Sequence, residues 1–317
     1  MTTPSIPTSP DGRGAPLSIA IPTIRRPHAL AMTLASLAWQ RLDAPGSEVI
    51  IVDNDPAQSA RAVVESWPAP AGWTVRYVME PKPGKVQALN TALDHVRQAL
   101  VCLFDDDIVF FPDTLAAYQR AAVAWPQADY FGGPFLPQCA DGVPDGFELE
   151  GKHRIYLVWP SHDLGAADRL YQPKENPLGG NRMVRRSVFE RGVRFDSKFL
   201  DYKLYWSPAD DIYFASTLRS LGLQAVYVAG AKAWHMTERQ LFEPKRLWRR
   251  YEAFGRYQVL AKAVPNRGSV RLLYDILRDG VAVGGHRLAG QRAASRYHRY
   301  EIARTLGVMK QRMAKAR

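Results

Sequence analysis

The chain has 317 residues, a formal net charge of +11, 46% hydrophobic and 23% charged residues, which suits one large α/β domain with an appendage. Its two cysteines, Cys102 and Cys139, exclude a disulfide framework, and Cys102 in the apolar run Leu100–Phe104 reads as a buried thiol in a reducing compartment. No stretch reaches the roughly 18 apolar residues of a membrane span, and the Pro/Ser/Thr/Gly-rich residues 1–16 lack the basic and apolar regions of a secretion signal. They read as a disordered lead-in to a cytoplasmic protein.

Leu17–Ile21 is a short apolar run that stops at Pro22. A helix is predicted from Pro27, with Leu30, Leu34 and Leu37 at i, i+4 and i+7 and a proline suited to the first turn. Val49–Val52 predicts a second strand, closed by Asp53-Asn54-Asp55-Pro56; a helix over Ala57–Trp67 and a third strand over Val75–Val78 follow. Lys82-Pro83-Gly84-Lys85 leads into a helix carrying Val86, Leu89, Leu93 and Val96, and a fourth strand, Leu100–Phe104, stops at Asp105-Asp106-Asp107. Apolar strands alternating with amphipathic helices argue for a parallel sheet covered on both faces. The polar clusters follow strands two and four at their carboxyl ends, where open α/β sheets bind ligands.

Further on, a helix over Thr114–Ala124, a strand near Tyr130–Phe135 and a Pro/Gly/Asp-rich loop from Pro137 to Gly146 are expected. Gly179-Gly180-Asn181 precedes a strand or helix start. Asp210-Asp211 opens a helix through Leu218, two acids complementing its positive end, and the strand Ala225–Val228 is followed by Trp234-His235. The basicity is concentrated late: from Arg239 to Arg317 there are 19 Lys/Arg against 5 Asp/Glu, leaving residues 1–238 slightly acidic.

Asp105 and Asp107 lie on the same side of an extended segment and can face one cation; an all-oxygen site suits Mg²⁺ or Mn²⁺. A solvated acidic turn, or caps before Asp113, is the plainer alternative. Asp210-Asp211 equally serves as a helix start alone, and His235 as a packed structural residue.

With these clusters in this order, the segment from about Leu17 to His235 resembles glycosyltransferase family 2, inverting enzymes of the GT-A fold. Ile19–Pro27 and the helix bearing Leu30, Leu34, Leu37 and Gln40 look like the family's first strand and helix. Ile50-Ile51-Val52-Asp53-Asn54-Asp55 is similar to the motif whose aspartate contacts the nucleotide base. Lys82-Pro83-Gly84-Lys85, with Asn90 downstream, resembles the loop around the donor, and Phe104-Asp105-Asp106-Asp107 with Pro112-Asp113 and Leu115 resembles the Asp-x-Asp metal motif and its trailing signature. Gly179-Gly180-Asn181 and Arg185-Arg186, before Phe195-Asp196, resemble the stretch lining the acceptor side. Asp210-Asp211 stands where most members have Glu-Asp.

The resemblance implies a GT-A fold, a mostly parallel sheet flanked by helices on both faces, with a C-terminal helical extension: residues 17–238 catalytic and residues 239–317 a basic helical appendage. It implies Asp211, beside Asp210, as catalytic base, and Pro22, Thr23, Arg26, Asp53, Asp55, Gly84, Lys85, Asp105 and Asp106 around a nucleotide diphosphate-sugar donor. Gly180, Asn181 and Trp206 fall on the acceptor side. Asp105, Asp107 and His235 would hold Mn²⁺ or Mg²⁺, and the acceptor would be a glycan or a lipid-linked glycan. Asp-Asp-Asp, Asp-Asp and Trp-His-Met together resemble bacterial galactofuranosyltransferases, among other polysaccharide enzymes. A dinucleotide-binding oxidoreductase would need a glycine-rich first turn, which Pro22-Thr23-Ile24-Arg25 does not supply. A sugar-nucleotide nucleotidyltransferase and an inactive scaffold or sugar-binding relative are the alternatives.

In the tail, Leu247, Tyr251, Phe254, Gln258, Leu272, Leu273, Ile276 and Leu277 recur at roughly helical spacing among arginines. A helical cap on the catalytic domain, peripheral contact with the inner face of an anionic membrane and nucleic-acid binding are the readings; no nucleic-acid motif supports the third.

Overall fold

The computed structural model describes residues 15–42, 44–173, 175–196, 210–260, 264 and 268–315. In chain order these form β1 (Leu17–Thr23), α1 (Pro27–Ala38), β2 (Glu48–Asp53), α2 (Arg61–Ser66), β3 (Thr74–Met79), α3 (Lys85–His95), β4 (Leu100–Phe104), β5 (Ile108–Phe110), α4 (Thr114–Ala124), β6 (Tyr130–Gly132) and β7 (Phe135–Gln138). Then come β8 (Arg169–Leu170), β9 (Asn181–Arg185), α5 (Arg186–Glu190), α6 (Asp210–Ser220), β10 (Ala225–Tyr227), β11 (Ala233–Met236), α7 (Pro244–Leu260), α8 (Ser269–Leu288) and α9 (Arg292–Lys315).

Period-two alternation sorts the strand side chains to two faces. Leu17, Ile19, Ile21, Val49, Ile51, Leu100, Cys102 and Phe104 enter one core with Leu30, Leu34 and Leu37 of α1 and Leu115 and Tyr118 of α4. Ala20, Ile50, Val52, Val101 and Leu103 enter the opposite core with Val86, Leu89 and Leu93 of α3 and Phe214 and Leu218 of α6. Both faces being covered, these strands are apolar throughout rather than amphipathic. The Cys102 thiol is buried, and burial alone pushes its pKa up.

The sheet runs β3-β2-β1-β4-β9-β6-β10-β8. β3, β2, β1 and β4 are mutually parallel, β9 runs antiparallel between β4 and β6, and β8 closes the far edge antiparallel to β10. The chain winds outward from β1 to β3 and then restarts on the other side at β4, so the β1/β4 boundary is a topological switch point.

Three elements differ from the sequence reading. α2 begins at Arg61 rather than Ala57, because Asp53 accepts the backbone N–H of Ala60 and holds the preceding residues in a loop. The strand expected near Tyr130–Phe135 is two strands in different sheets, β6 and β7, parted at Gly133-Pro134; a Cβ on Gly133 would overlap the Ala231 carbonyl. Trp234-His235 lies inside β11, in a small second sheet ordered β5-β11-β7.

The described residues of Met1–Leu136, Ser161–Trp206 and Asp210–Met236 form one compact unit and those of Pro137–Pro160 and Thr237–Arg317 a second. In the second, Ile155, Val158, Phe242, Leu247, Tyr251, Tyr300 and Ala303 make a separate core. Gly255 of α7 and Gly307 of α9 let their backbones touch: a Cβ on Gly255 would overlap the Arg304 carbonyl, and one on Gly307 the Glu252 carbonyl. Among the described residues no helix is long and apolar enough to cross a membrane.

Candidate active site

The carboxyl ends of β1, β2 and β4 deliver most of the sequence-predicted residues to one place. Across the switch point, Thr23 Oγ1 donates to Asp106 Oδ2 at 2.6 Å. Arg26, at the entry to α1, spans two of the three consecutive carboxylates: Nη1 meets Asp106 Oδ1 at 2.9 Å and Nη2 meets Asp107 Oδ2 at 2.8 Å. Lys85, first residue of α3, sits 2.6 Å from Asp105 Oδ1. Three adjacent acids after a buried strand are thus balanced by two cations from different elements.

Asp106 and Asp107 are both nearly inaccessible, yet their protonation diverges. Burial, with the charges of Asp107 and Asp105, raises Asp106 to about 7 against the opposing pull of Arg26 and Thr23. Burial also acts to raise Asp107, but His235 and Arg26 outweigh it and hold that carboxyl well below the usual range. Asp107 is therefore held in its ionised form, while burial and its acidic neighbours favour a proton on Asp106.

β11 brings His235 Nε2 to 3.4 Å from Asp107 Oδ2, its ring stacked on Phe135 at 4.8 Å. Met236 N donates to the Asp107 carbonyl, which fixes β11 against the acidic turn. Asp107 Oδ1 is buried and meets no hydrogen-bond partner among the described residues, a state that calls for a cation. An ionised carboxylate beside an imidazole fits Mn²⁺ or Mg²⁺, which in phosphate sites takes one or two carboxylates from the protein. Among the described residues no three His, Cys, Asp or Glu side chains form a cage by themselves.

The fourth carboxylate arrives from a distant part of the chain. Asp211 stands in the first turn of α6, and a Cβ on Gly179 would overlap its carboxyl group. On the neighbouring Gly180 a Cβ would come within 2.9 Å of both Asp105 Oδ2 and the Phe135 ring, and Gly180 O accepts from Asp105 N. The glycine pair is the spacer that seats Asp211 and Asp105 beside the same short backbone segment. The Asp210 side chain and Trp206 lie outside the described residues.

Several predicted residues act from inside the fold. Asp53 is fully buried, its oxygens accepting from Asp55 N, Ala60 N and the Tyr77 hydroxyl, so it shapes the loop after β2. Its neighbour Asp55 meets Arg25 at 3.2 Å. Asn181 is fully buried: its amide donates to Pro134 O at 2.9 Å and Ala231 O at 2.8 Å, and Tyr118 donates to its Oδ1 at 2.8 Å. Pro22 is paired with Val52 within the sheet. The Arg185 guanidinium caps the end of α4 on the carbonyls of Ala122, Trp125 and Ala128.

Two residues escape the sequence reading. Arg182, 2% exposed, sets Nη1 3.2 Å from Asp211 Oδ1 and lies over the rings of Phe195 and Phe214 at 5.1 and 4.9 Å. The signal available was an arginine one residue after Gly-Gly-Asn inside a buried strand, a place arginine rarely occupies without a charged partner. Asn54 donates to the carbonyls of Glu80 and Lys82 at 2.7 Å and accepts from Gly84 N, tying the loops after β2 and β3 together. Gly84, at φ +126°, adopts a backbone that side-chain-bearing residues avoid.

A largely parallel sheet with carboxylates and cations gathered at its switch point is the frame of an α/β ligand-binding protein. The model of glycosyl transferase family 2 matches residues 18–193, more than half of the chain, and the chain belongs to that family. It is 29% identical over 149 residues to the succinoglycan biosynthesis protein ExoM of Rhizobium meliloti (strain 1021), covering 47% of this chain and 48% of that one; the chain thus spans about half the length of this curated relative. Among solved structures, the mannosyltransferase PcManGT from Pyrobaculum calidifontis, in complex with GDP-Man and Mn²⁺, superimposes with a TM-score of 0.60 at 17% identity. The match covers 92% of this chain and 86% of that one, and it establishes a shared fold.

Proposed function

We propose that this protein transfers a glycosyl group from a nucleotide diphosphate-sugar to an acceptor hydroxyl with inversion at the anomeric carbon, in the assembly of a polysaccharide or glycolipid. The observation that carries the reading is the seating of Asp211 against Gly179 and of Asp105 against Gly180. It sets a potential base beside the acidic turn at the carboxyl ends of the parallel strands, where a donor diphosphate would lie.

Asp211 accepts the proton of the acceptor hydroxyl as that oxygen attacks the anomeric carbon. The bond from that carbon to the donor diphosphate breaks in the same step, its electron pair leaving with the nucleotide diphosphate. General base assistance of this type contributes roughly 10²–10⁴-fold. Arg182 holds the Asp211 carboxylate in place from beneath, and Lys85 and Arg26 bring positive charge to the diphosphate side. Asp53 and Asn54 shape the loops against which the base packs. Asp107 and His235, with Asp105 nearby, would hold Mn²⁺ or Mg²⁺, which when bound supplies Lewis-acid stabilisation of the departing diphosphate. A glycan or lipid-linked glycan is the acceptor, and the basic C-terminal helices suit peripheral contact with the inner face of an anionic membrane.

Thermal melts with UDP, GDP, dTDP and CDP, each with Mn²⁺ and with EDTA, test this. A ligand at about 100 times its dissociation constant adds roughly 2.7 kcal/mol of stability. One nucleotide should raise Tm with Mn²⁺, and the rise should vanish with EDTA or in Asp107→Asn. Failure of every nucleotide to shift the melt refutes the donor site.

A further inference from the structure

Helix α8 is built with its polarity reversed. Its buried residues are Leu272, Asp275 and Asp279, while Val270, Leu273, Tyr274, Leu277, Val281 and Leu288 are 50–92% exposed. A helix packed on a protein core places its apolar stripe inward and its acids in water. Here the two aspartates are buried and paired: His298 of α9 meets Asp279 at 3.0 Å, and the exposed Arg278 of the same helix reaches back to Asp275 at 3.4 Å and Asp279 at 3.0 Å. The exposed residues recur at i, i+3, i+4, i+7, i+11 and i+18 from Val270, one stripe about 100° wide along the helix. Scattered apolar side chains on a surface mean little, whereas an apolar stripe over three turns, from Val270 to Val281, marks a contact with another apolar phase.

We infer that α8 is an interfacial helix that lies in the plane of an anionic lipid bilayer, its Val270–Leu273–Leu277–Val281–Leu288 stripe inserted among the acyl chains. The inference deepens the peripheral-membrane part of the function proposed above by fixing which face of the protein enters the lipid. Charge selects the occupant. At 100° per residue Arg271 and Arg278 border one edge of the stripe and Arg287 the other; all three are exposed, although Arg271 and Arg278 also pair with Asp275 at 3.7 and 3.4 Å. They belong to a segment carrying 19 Lys/Arg against 5 Asp/Glu. Guanidinium groups on both rims of an apolar stripe are the arrangement that meets phosphate headgroups while the stripe enters the hydrocarbon. Arg271 also lies over the Tyr274 ring at 5.0 Å, which sets an aromatic ring and a cation together at the headgroup level.

Flotation of the purified full chain with vesicles of phosphatidylcholine and phosphatidylglycerol (70:30), and of phosphatidylcholine alone, tests this. Leu273→Ser/Leu277→Ser/Val281→Ser changes only exposed positions, and an unchanged melting curve checks that it folds. The intact protein should float with the anionic vesicles at least tenfold more than with the neutral ones, and the triple variant should lose at least tenfold of that binding. If the intact protein floats and the triple variant floats equally, the membrane contact stands and its assignment to α8 is wrong. If nothing floats, both fall. A stripe covered instead by a second copy would show as a dimer that the triple variant converts to monomer without any vesicle binding, which overturns the inference equally.

Discussion

Gly179→Ala isolates the placement of the proposed base from its chemistry. The added methyl group would overlap the Asp211 carboxyl group, which has to retreat by roughly 1.5 Å to restore ordinary van der Waals contact; a misplacement of about 1 Å at a reacting group costs on the order of 10²-fold. That corresponds to about 2.7 kcal/mol of transition-state stabilisation. Because Gly179 has no positive φ, the perturbation is steric and not conformational. The assay is nucleotide diphosphate release from the donor that the thermal-shift panel selects, with saturating acceptor. We expect kcat to fall about 100-fold, KM for the donor to change less than threefold, and the Mn²⁺-dependent melt shift to survive. Gly180→Ala, whose methyl group meets Asp105 and Phe135 at the milder 2.9 Å, should instead weaken donor binding. Full kcat in a folded Gly179→Ala protein would refute the reasoning, since Asp211 would then work equally well from a different place.

Arg182→Met removes the cation beneath Asp211 while filling much of its volume; kcat should drop 10- to 100-fold with donor KM unchanged, because the residue acts on the base and not on the nucleotide. Equal losses in donor affinity would point to a merely structural role. Asn181→Ala removes the amide donor of the Ala231 carbonyl, while Pro134 O keeps Ala233 N and the Tyr118 hydroxyl keeps the Asn181 carbonyl; it should lower the unfolding free energy by about 1–3 kcal/mol, measured by urea denaturation. His162, pushed down to about 4 by burial, is neutral in the folded protein and binds its proton more readily once unfolded. Its contribution to stability is therefore complete above pH 6.5 and is lost as pH falls toward 4, by at most about 3 kcal/mol. Urea midpoints at pH 7 and pH 4.5 should converge in His162→Asn relative to the native chain, and an unaltered gap would show that other groups carry the acid sensitivity.

The alternation of strands and helices to Ala124 and the acidic turn after β4 were legible in the sequence because period and composition are local properties. Strands buried on both faces read as apolar runs, and Asp105-Asp106-Asp107 after such a run stands out whatever surrounds it. That alternation implies parallel strands covered on both faces, but neither the order β3-β2-β1-β4 nor the antiparallel insertion of β9 follows from it. Nor does the splitting of Tyr130–Gln138 between two sheets, which hangs on the close approach of Gly133 to Ala231. Asp211 stands out only through the family resemblance; packing brings it over Gly179 and supplies Arg182 beside it. The same limit separated residues of similar look. Asp53 and Asn181 read as ligand contacts beside Asp107, yet internal hydrogen bonds engage their side chains, while an oxygen of Asp107 meets no donor among the described residues. In the tail, helical period and basic charge are legible residue by residue, whereas the tertiary structure decides which face of α8 is buried: Leu272, Asp275 and Asp279 are covered, with His298 of α9 on Asp279, and the apolar stripe is left outside. Composition and period are written residue by residue, whereas burial and pairing are decided by partners tens or hundreds of residues away.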